Sequence, residues 1–267
     1  MMAGSKWRAI ADDLVKKIEN GEIPRGSQLP TELELQAEYD ASRNTVRDAI
    51  KWLTQRQLVV AQPGRGTFVS RKITPFAVEL SPRHGFGSDD DEGGAYVASA
   101  RVQNRRPSTS EPRVEIRKAT GLVARQLQLA EGVRVVSRYQ ERFIDDAPWS
   151  LQTSFYPMEF VNRGAERLVD AVDVREGMAK YLEDALRLTQ AGYQDLIAAR
   201  PPGQQESVFF GLPDNVSVSL IELSRTVYAT TGEPMRFTVT VYPADRNQLY
   251  YNIGDVPESH LDIPGPA

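Results

Sequence analysis

Apolar residues recur every three or four positions near the start of the chain and every second position over much of the C-terminal half. Trp7, Ile10, Ala11, Leu14, Val15 and Ile18 form one stripe of a first helix, which Asn20-Gly21 ends. Pro24 and Gly26 turn the chain. Thr31 with Glu34 then makes a T-x-x-E capping box that opens a second helix through about Tyr39. A break at Asp40-Ala41 leads to Ser42, a good N-cap for a third helix. There Val46, Ala49, Ile50 and Leu53 face inward, and Arg43, Asn44, Arg47 and Lys51 face out. Strand-like Leu58–Ala61 and Thr67–Val69 flank the tight tip Pro63-Gly64-Arg65-Gly66, so a hairpin follows.

Residues 81–94 are rich in turn formers and acids, with no periodicity, and read as linker. Their acidic run Asp89–Glu92 lacks the alternating ligand spacing of a calcium loop. Beyond it the alternation predicts strands at 96–105, 133–144, 149–156, 193–199, 216–228 and 235–242. Helices are expected near 119–128, 164–171, 177–188 and 203–210. Asp145–Pro148 and Thr231–Pro234 each join consecutive strands, which argues for antiparallel hairpins. The expected class is α+β. The division is a head at 1–72, a linker at 73–94, a second domain at 95–260 and a tail at 261–267.

Length agrees with two domains, since 267 residues with 40% hydrophobic composition can bury two ordinary cores. No apolar run is long enough for a bilayer and no signal-peptide core is seen, so a soluble, cytoplasmic protein without membrane contact is expected. Zero cysteines remove disulfides and thiolate metal sites. The net charge of −4 is unevenly spread: residues 1–72 hold 12 Lys/Arg against 9 Asp/Glu, and the remainder 20 against 27. A basic head on an acidic body suits a protein whose head alone approaches phosphates, although +3 can also arise by chance.

Two helices joined by a short turn, the second exposing Arg, Asn and Thr at its start, suit a major-groove reader. Arginine binds guanine O6/N7 in bidentate fashion, and a helix N-terminus favours phosphate. A solvated helix face with incidental arginines is the plain alternative. The side-chain-poor tip with its single cation suits a narrow minor groove. A nucleotide cradle at this G-x-G is disfavoured, because a strand and not a helix follows it.

The later strands sort into two faces. Val133, Val135, Tyr139 and Phe143 oppose Arg138, Gln140 and Arg142; Trp149, Leu151 and Phe155 oppose Ser150, Gln152, Ser154 and Tyr156. Phe237, Val239 and Val241 likewise oppose Arg236, Thr238, Thr240 and Tyr242. The polar face fits either water or a concave site for a polar, anionic small molecule. Arg225 falls on an apolar face and needs a carboxylate, for which Glu206 is the expected partner.

Leu29-Pro30-Thr31-Glu32, Ser42-Arg43-Asn44-Thr45-Val46-Arg47-Asp48-Ala49-Ile50 and Gly64–Val69 resemble, in order and spacing over about residues 6–70, the signature of the GntR family of bacterial transcription regulators. The resemblance implies a winged helix-turn-helix that binds double-stranded operator DNA as a homodimer. It assigns Ser42, Arg43, Thr45 and Arg47 to the major groove and Gly64 and Arg65 to the wing, with Asn44 and Gly66 beside them. Leu33 stands where some members carry a base-reading arginine, and Trp7 where Tyr is more usual.

Arg142–Pro157, with weaker agreement at Glu206, Arg225, Gly232–Pro234 and Tyr242–Arg246, resembles the UTRA effector-binding domain of the HutC branch over roughly 95–252. That implies a chorismate-lyase-like antiparallel sheet flanked by helices. The family's effector positions fall on Gln140, Arg142, Gln152, Ser154, Arg236 and Tyr242. Gln140 replaces a frequent Arg and Arg236 a frequent Glu, which points away from a sugar and toward an anion, or toward no effector.

No enzyme is expected. The two histidines, His84 and His260, lie in the linker and tail, and neither H-E-x-x-H nor a nucleotide-binding glycine motif occurs. No cofactor or metal is called for. The reading is a DNA-binding regulator, a repressor released from an inverted repeat by a small molecule. The alternative is an effector-independent scaffold whose C-terminal domain dimerises or recruits protein.

Overall fold

The computed structural model describes residues 6–56, 58–62, 64–70, 75–80, 92–174, 176–212 and 218–252. The chain divides into two compact units, Met1–Ile73 with Gln204–Val218, and Thr74–Gly203 with Ser219–Ala267.

The first unit carries helices α1 (Lys6–Glu19), α2 (Glu32–Tyr39) and α3 (Arg43–Gln55), followed by the antiparallel hairpin β1 (Val59–Gln62) and β2 (Gly66–Val69). The capping box forms: the Glu34 N–H donates to Thr31 Oγ1 at 3.3 Å, and the Thr31 N–H donates to the Glu34 carboxylate at 2.7 Å. Asp40, in left-handed backbone at φ 46°, closes α2 by donating its N–H to the Gln36 carbonyl. Asp is one of the few residues that tolerates this region, which explains the sharp turn into Ser42. The stripe of α1 packs through Ile10, Ala11, Leu14 and Ile18 onto Leu35, Val46, Ala49 and Leu53, with Val59 and Val69 of the hairpin beneath. Each such burial contributes about 1.5 to 3 kcal/mol, so this small core rests on a few leucines, isoleucines and valines.

In the second unit, β3 (Phe76–Glu79) is followed by α4 (Glu92–Val102), β4 (Pro107–Thr109), β5 (Arg113–Lys118) and α5 (Gly121–Gln126). Next come β6 (Arg134–Ile144), β7 (Ala147–Pro157), α6 (Met158–Asn162), a 3-10 turn at Glu166–Val169, α7 (Met178–Leu186) and β8 (Gln190–Arg200). Helix α8 (Gln204–Phe210), grouped with the first unit, intervenes before β9 (Leu220–Ala229), β10 (Pro234–Pro243) and β11 (Asn247–Tyr250). The antiparallel sheet runs β4-β6-β7-β10-β9-β8, with β5 also on β6, while β3 and β11 form a separate parallel pair. Two consecutive left-handed residues, Asp145 at φ 50° and Asp146 at φ 65°, make the β6–β7 turn. Its geometry matches strand twist.

Both sheet faces are covered, so the polar face is not the water-facing side that an ordinary antiparallel sheet would offer. On the odd-numbered face, Val135, Phe155 and Phe237 pack with Ala124 of α5 and Leu127 at its C-cap. On the other, Val136, Tyr156 and Val227 meet Met178, Leu182 and Leu186 of α7 at one end. At the other end Ile144, Trp149, Leu223 and Tyr242 meet Tyr96 of α4 and Phe76 of β3. Trp149 thus departs from the expected grouping with Phe155. A bulge between Arg142 and Phe143 pairs Arg142 with Ser150 and Phe143 with Pro148, leaving Trp149 as the extra residue.

Two expectations are corrected. Residues 96–105 begin in α4 and contain no strand, because Tyr96 and Ala100, four apart on one helix face, bury together and override the alternating pattern. The stretch 73–94 holds β3 and the start of α4 and is not linker throughout. Arg225, expected to need a carboxylate, has Asp195 opposite it on β8, through Nε–Oδ1 at 2.7 Å and Nη2–Oδ2 at 2.6 Å. Cross-strand neighbours meet without a loop having to deliver the partner. Residues 81–91, the tail 261–267 and both histidines lie outside the described residues.

Candidate functional site

The third helix presents its N-terminal turns outward. Ser42, extended at φ −66°, ψ 154°, caps α3: its Oγ accepts the Thr45 N–H at 3.2 Å and lies 2.8 Å from Thr45 Oγ1. Ser42, Arg43, Asn44 and Arg47 are exposed and Thr45 half-buried. Glu32 of α2 bridges the two arginines, with Arg43 Nε at 3.0 Å from one carboxylate oxygen and Arg47 Nε at 3.6 Å from the other. Exposed pairs of this kind contribute about 0 to 1 kcal/mol. They hold the guanidinium groups in place yet yield readily to a phosphate or a guanine edge.

The wing tip is built on glycine. Gly64 has φ 73° and Gly66 φ 114°, and a Cβ on Gly66 would sit 2.5 Å from Gln28 Nε2. Gln28 Nε2 donates to the Arg65 carbonyl at 3.2 Å, bracing the turn, and the Arg65 guanidinium lies 5.7 Å over the Phe68 ring. Gly64, Arg65 and Gly66 are exposed. Leu33 is 76% exposed.

The second unit holds a cavity of about 610 Å³ on the polar face, in the gap between the two apolar clusters. Gln140, Arg142, Gln152, Ser154 and Arg236 line it. Tyr242 does not: it is 2% exposed within the cluster of Trp149, Tyr96 and Phe76.

Arg142 is 4% exposed, and its guanidinium lies 5.3 Å over the Tyr96 ring. Among the described residues its contact is this ring face, with no hydrogen bond or ion pair. Burial pushes the Tyr96 hydroxyl up to about 12, keeping that ring neutral. Gln152, 8% exposed, donates from Nε2 to Ser154 Oγ at 3.3 Å, while its Oε1 has no partner among the described residues. Ser154 Oγ in turn lies 3.0 Å from Thr238 Oγ1. A buried unsatisfied acceptor costs about 1 to 3 kcal/mol, which a donor on a ligand would recover. Gln140 donates to the Ser110 carbonyl at 3.3 Å and to Asp173 at 3.4 Å.

Further lining residues are Tyr156, which alternation puts on the polar face, and Arg101 of α4, Thr109, and Asp173 and Glu176 beyond the 3-10 turn, which it does not. Arg138, on the polar face by alternation, also lines the cavity. It donates to the carbonyls of Arg167, Leu168, Asp170 and Val172 at 3.3, 2.9, 2.8 and 2.8 Å, which shapes the loop that walls the cavity. Burial draws its guanidinium below the usual arginine range. Alternation on β6 could have found it. Nothing in the local pattern marks Arg101 or Asp173, which arrive through tertiary packing. Four arginines against two carboxylates leave the wall cationic, and Glu176 is further tied to Arg167.

A winged helix-turn-helix in one unit and a domain with a polar, cation-lined cavity in the other define a DNA-binding transcriptional regulator as the class. Residues 6–69 match the gntR family of bacterial regulatory proteins, and residues 102–248 match the UTRA domain. An uncharacterized HTH-type transcriptional regulator of Streptomyces coelicolor is 30% identical, covering 96% of this chain and 95% of the relative. The HTH-type transcriptional repressor NagR of Bacillus subtilis is 24% identical, covering 89% and 90%. The crystal structure of PhnF from Mycobacterium smegmatis superposes with a TM-score of 0.55 at 18% identity, over 92% of this chain and all of that one, and shows the same fold. The chain belongs to the GntR family and carries a UTRA domain. It is a transcriptional regulator, in a family of regulators and not of enzymes. No helix among the described residues is long and apolar enough to cross a membrane.

Proposed function

We propose that this protein is a cytoplasmic repressor that holds an inverted-repeat operator as a homodimer and leaves it when a small anionic molecule enters the second unit. The head reads the major groove with Ser42, Arg43, Asn44, Thr45 and Arg47 and the minor groove with the Gly64-Arg65-Gly66 tip. The observation that carries the effector reading is the pair Arg142 and Gln152: a buried guanidinium without a counter-ion and a buried carbonyl without a donor among the described residues, both on one cavity of about 610 Å³. A sheet face serving only dimerisation or protein recruitment has no need of either. The ligand class that satisfies both carries an anionic group for Arg142 and Arg236 and a hydroxyl or amine for Gln152 Oε1.

Release follows if the ligand fits one placement of the two heads better than another, because only differential affinity shifts an equilibrium. The test is a thermal-shift screen of the full chain against small hydroxy acids, amino acids and phosphorylated polyols, followed by operator release. The expected result is a hit that stabilises the protein and weakens operator binding, and that Arg142→Ala abolishes while DNA binding persists. Loss of DNA binding along with the ligand response would make Arg142 a folding residue and contradict the assignment.

A further inference from the structure

Strand β8 ends the seven-stranded sheet: its inner edge pairs with β9 from Gln190↔Ala229 to Arg200↔Leu220, and its outer edge pairs with no strand among the described residues. Eleven residues give this edge a length of roughly 35 Å. Its C-terminal half is apolar and open on both faces, with Leu196 62% and Ile197 46% exposed and Ala198 and Ala199 exposed beside them.

Proteins blunt such edges with proline, outward charge or a bulge, since an unprotected edge pairs with whatever strand it meets. None of these guards the run from Tyr193 to Ala199. The one irregularity lies at Gln190/Gly192, before it. Both charges on the strand are engaged inward, Asp195 with Arg225, and Arg200 Nε with Glu222 at 2.6 Å. Ile197, Ala198 and Ala199 also wall an open groove of about 570 Å³ beside β11, which leaves room for incoming side chains.

We infer that β8 pairs antiparallel with β8 of a second copy, joining both effector sheets into one. This rests on the dimer reading above and names its surface. Residues opposite one another in an antiparallel pair point to the same face, so a twofold axis normal to the sheet must pass through a residue that faces itself. An axis at Ile197 places Leu196 opposite Ala198 of the partner subunit, large against small. It also sets the Gln194 amide opposite Arg200 of the partner subunit. A second copy offers an identical open edge, so each closes the other and the assembly ends at two.

The absence of cysteine makes the test direct. Ile197→Cys puts the sole thiol on the proposed axis, where Cα atoms about 4.5 to 5.5 Å apart suit a disulfide. The full-length variant should form a disulfide-linked dimer almost completely under mild oxidation. Ile116→Cys, on the exposed face of β5 at the opposite end of the sheet, should remain unlinked. In sedimentation equilibrium the unsubstituted protein should be a dimer, and Ile197→Lys should weaken it at least about a hundredfold with unchanged circular dichroism. A monomeric parent protein would overturn the dimer reading itself. A dimer that links through position 116, or fails to link at 197, would leave that reading standing and overturn the β8 assignment alone; should Ile197→Lys fail to fold, the cysteine pair decides.

Discussion

Arg43 and Arg47 are exposed cations that share one carboxylate, Glu32, and their value lies in what replaces it. A guanine edge offers two acceptors in the geometry of a guanidinium, so Arg43→Ala is expected to weaken specific operator binding by about 1 to 3 kcal/mol. A gel-shift titration checks this, and unchanged affinity would remove Arg43 from the reading set. In the cavity, Gln152 keeps a buried carbonyl unsatisfied among the described residues, which stability alone would not select. Gln152→Met, similar in volume and lacking that acceptor, is therefore expected not to lower the Tm of the ligand-free protein while it removes the ligand-induced thermal shift. A large drop in Tm would mean that the amide serves folding.

At the scale of elements, helices with local caps were legible in the sequence and those formed by packing were not. The Thr31–Glu34 box, the Ser42 cap and the α1 stripe each lie within a few residues and appear as read. Strands β6, β7 and β10 follow their alternation up to the bulge at Trp149, and their even-numbered positions supply Gln140, Arg142, Gln152, Ser154 and Arg236 to one cavity. Helix α4 was misread because Tyr96, Ala98 and Ala100 alternate as well as any strand; Gly94, Val97, Ala98 and Arg101 reach the cavity only through the helical period. The short β3, β4, β5 and β11 lack a pattern long enough to register. The β6–β7 turn carries its own pH dependence. The Arg106 backbone N–H, with the Arg105 side chain, holds the Asp145 carboxyl below its ordinary value. Its contribution is thus complete above about pH 4 and is lost as pH falls through the depressed value. Asp145→Asn should flatten the acid limb of a Tm-against-pH curve below that point; an unaltered limb would discount the turn as a source of acid sensitivity.

For the whole molecule the charge division is the organising fact: a head with 12 Lys/Arg against 9 Asp/Glu sits on a remainder with 20 against 27. The acidic remainder repels DNA, so affinity must come from the head alone and should fall steeply with salt, as counterion release requires. The central claim is that this head reads sequence and does not merely attract phosphate. The most direct measurement is selection of the purified full chain against a random double-stranded DNA library at physiological salt. Enrichment of an inverted repeat, its half-sites about one helical turn apart, is the predicted result, and Arg43→Ala should lose that enrichment. A wild-type pool that stays indistinguishable from the input library would contradict the account.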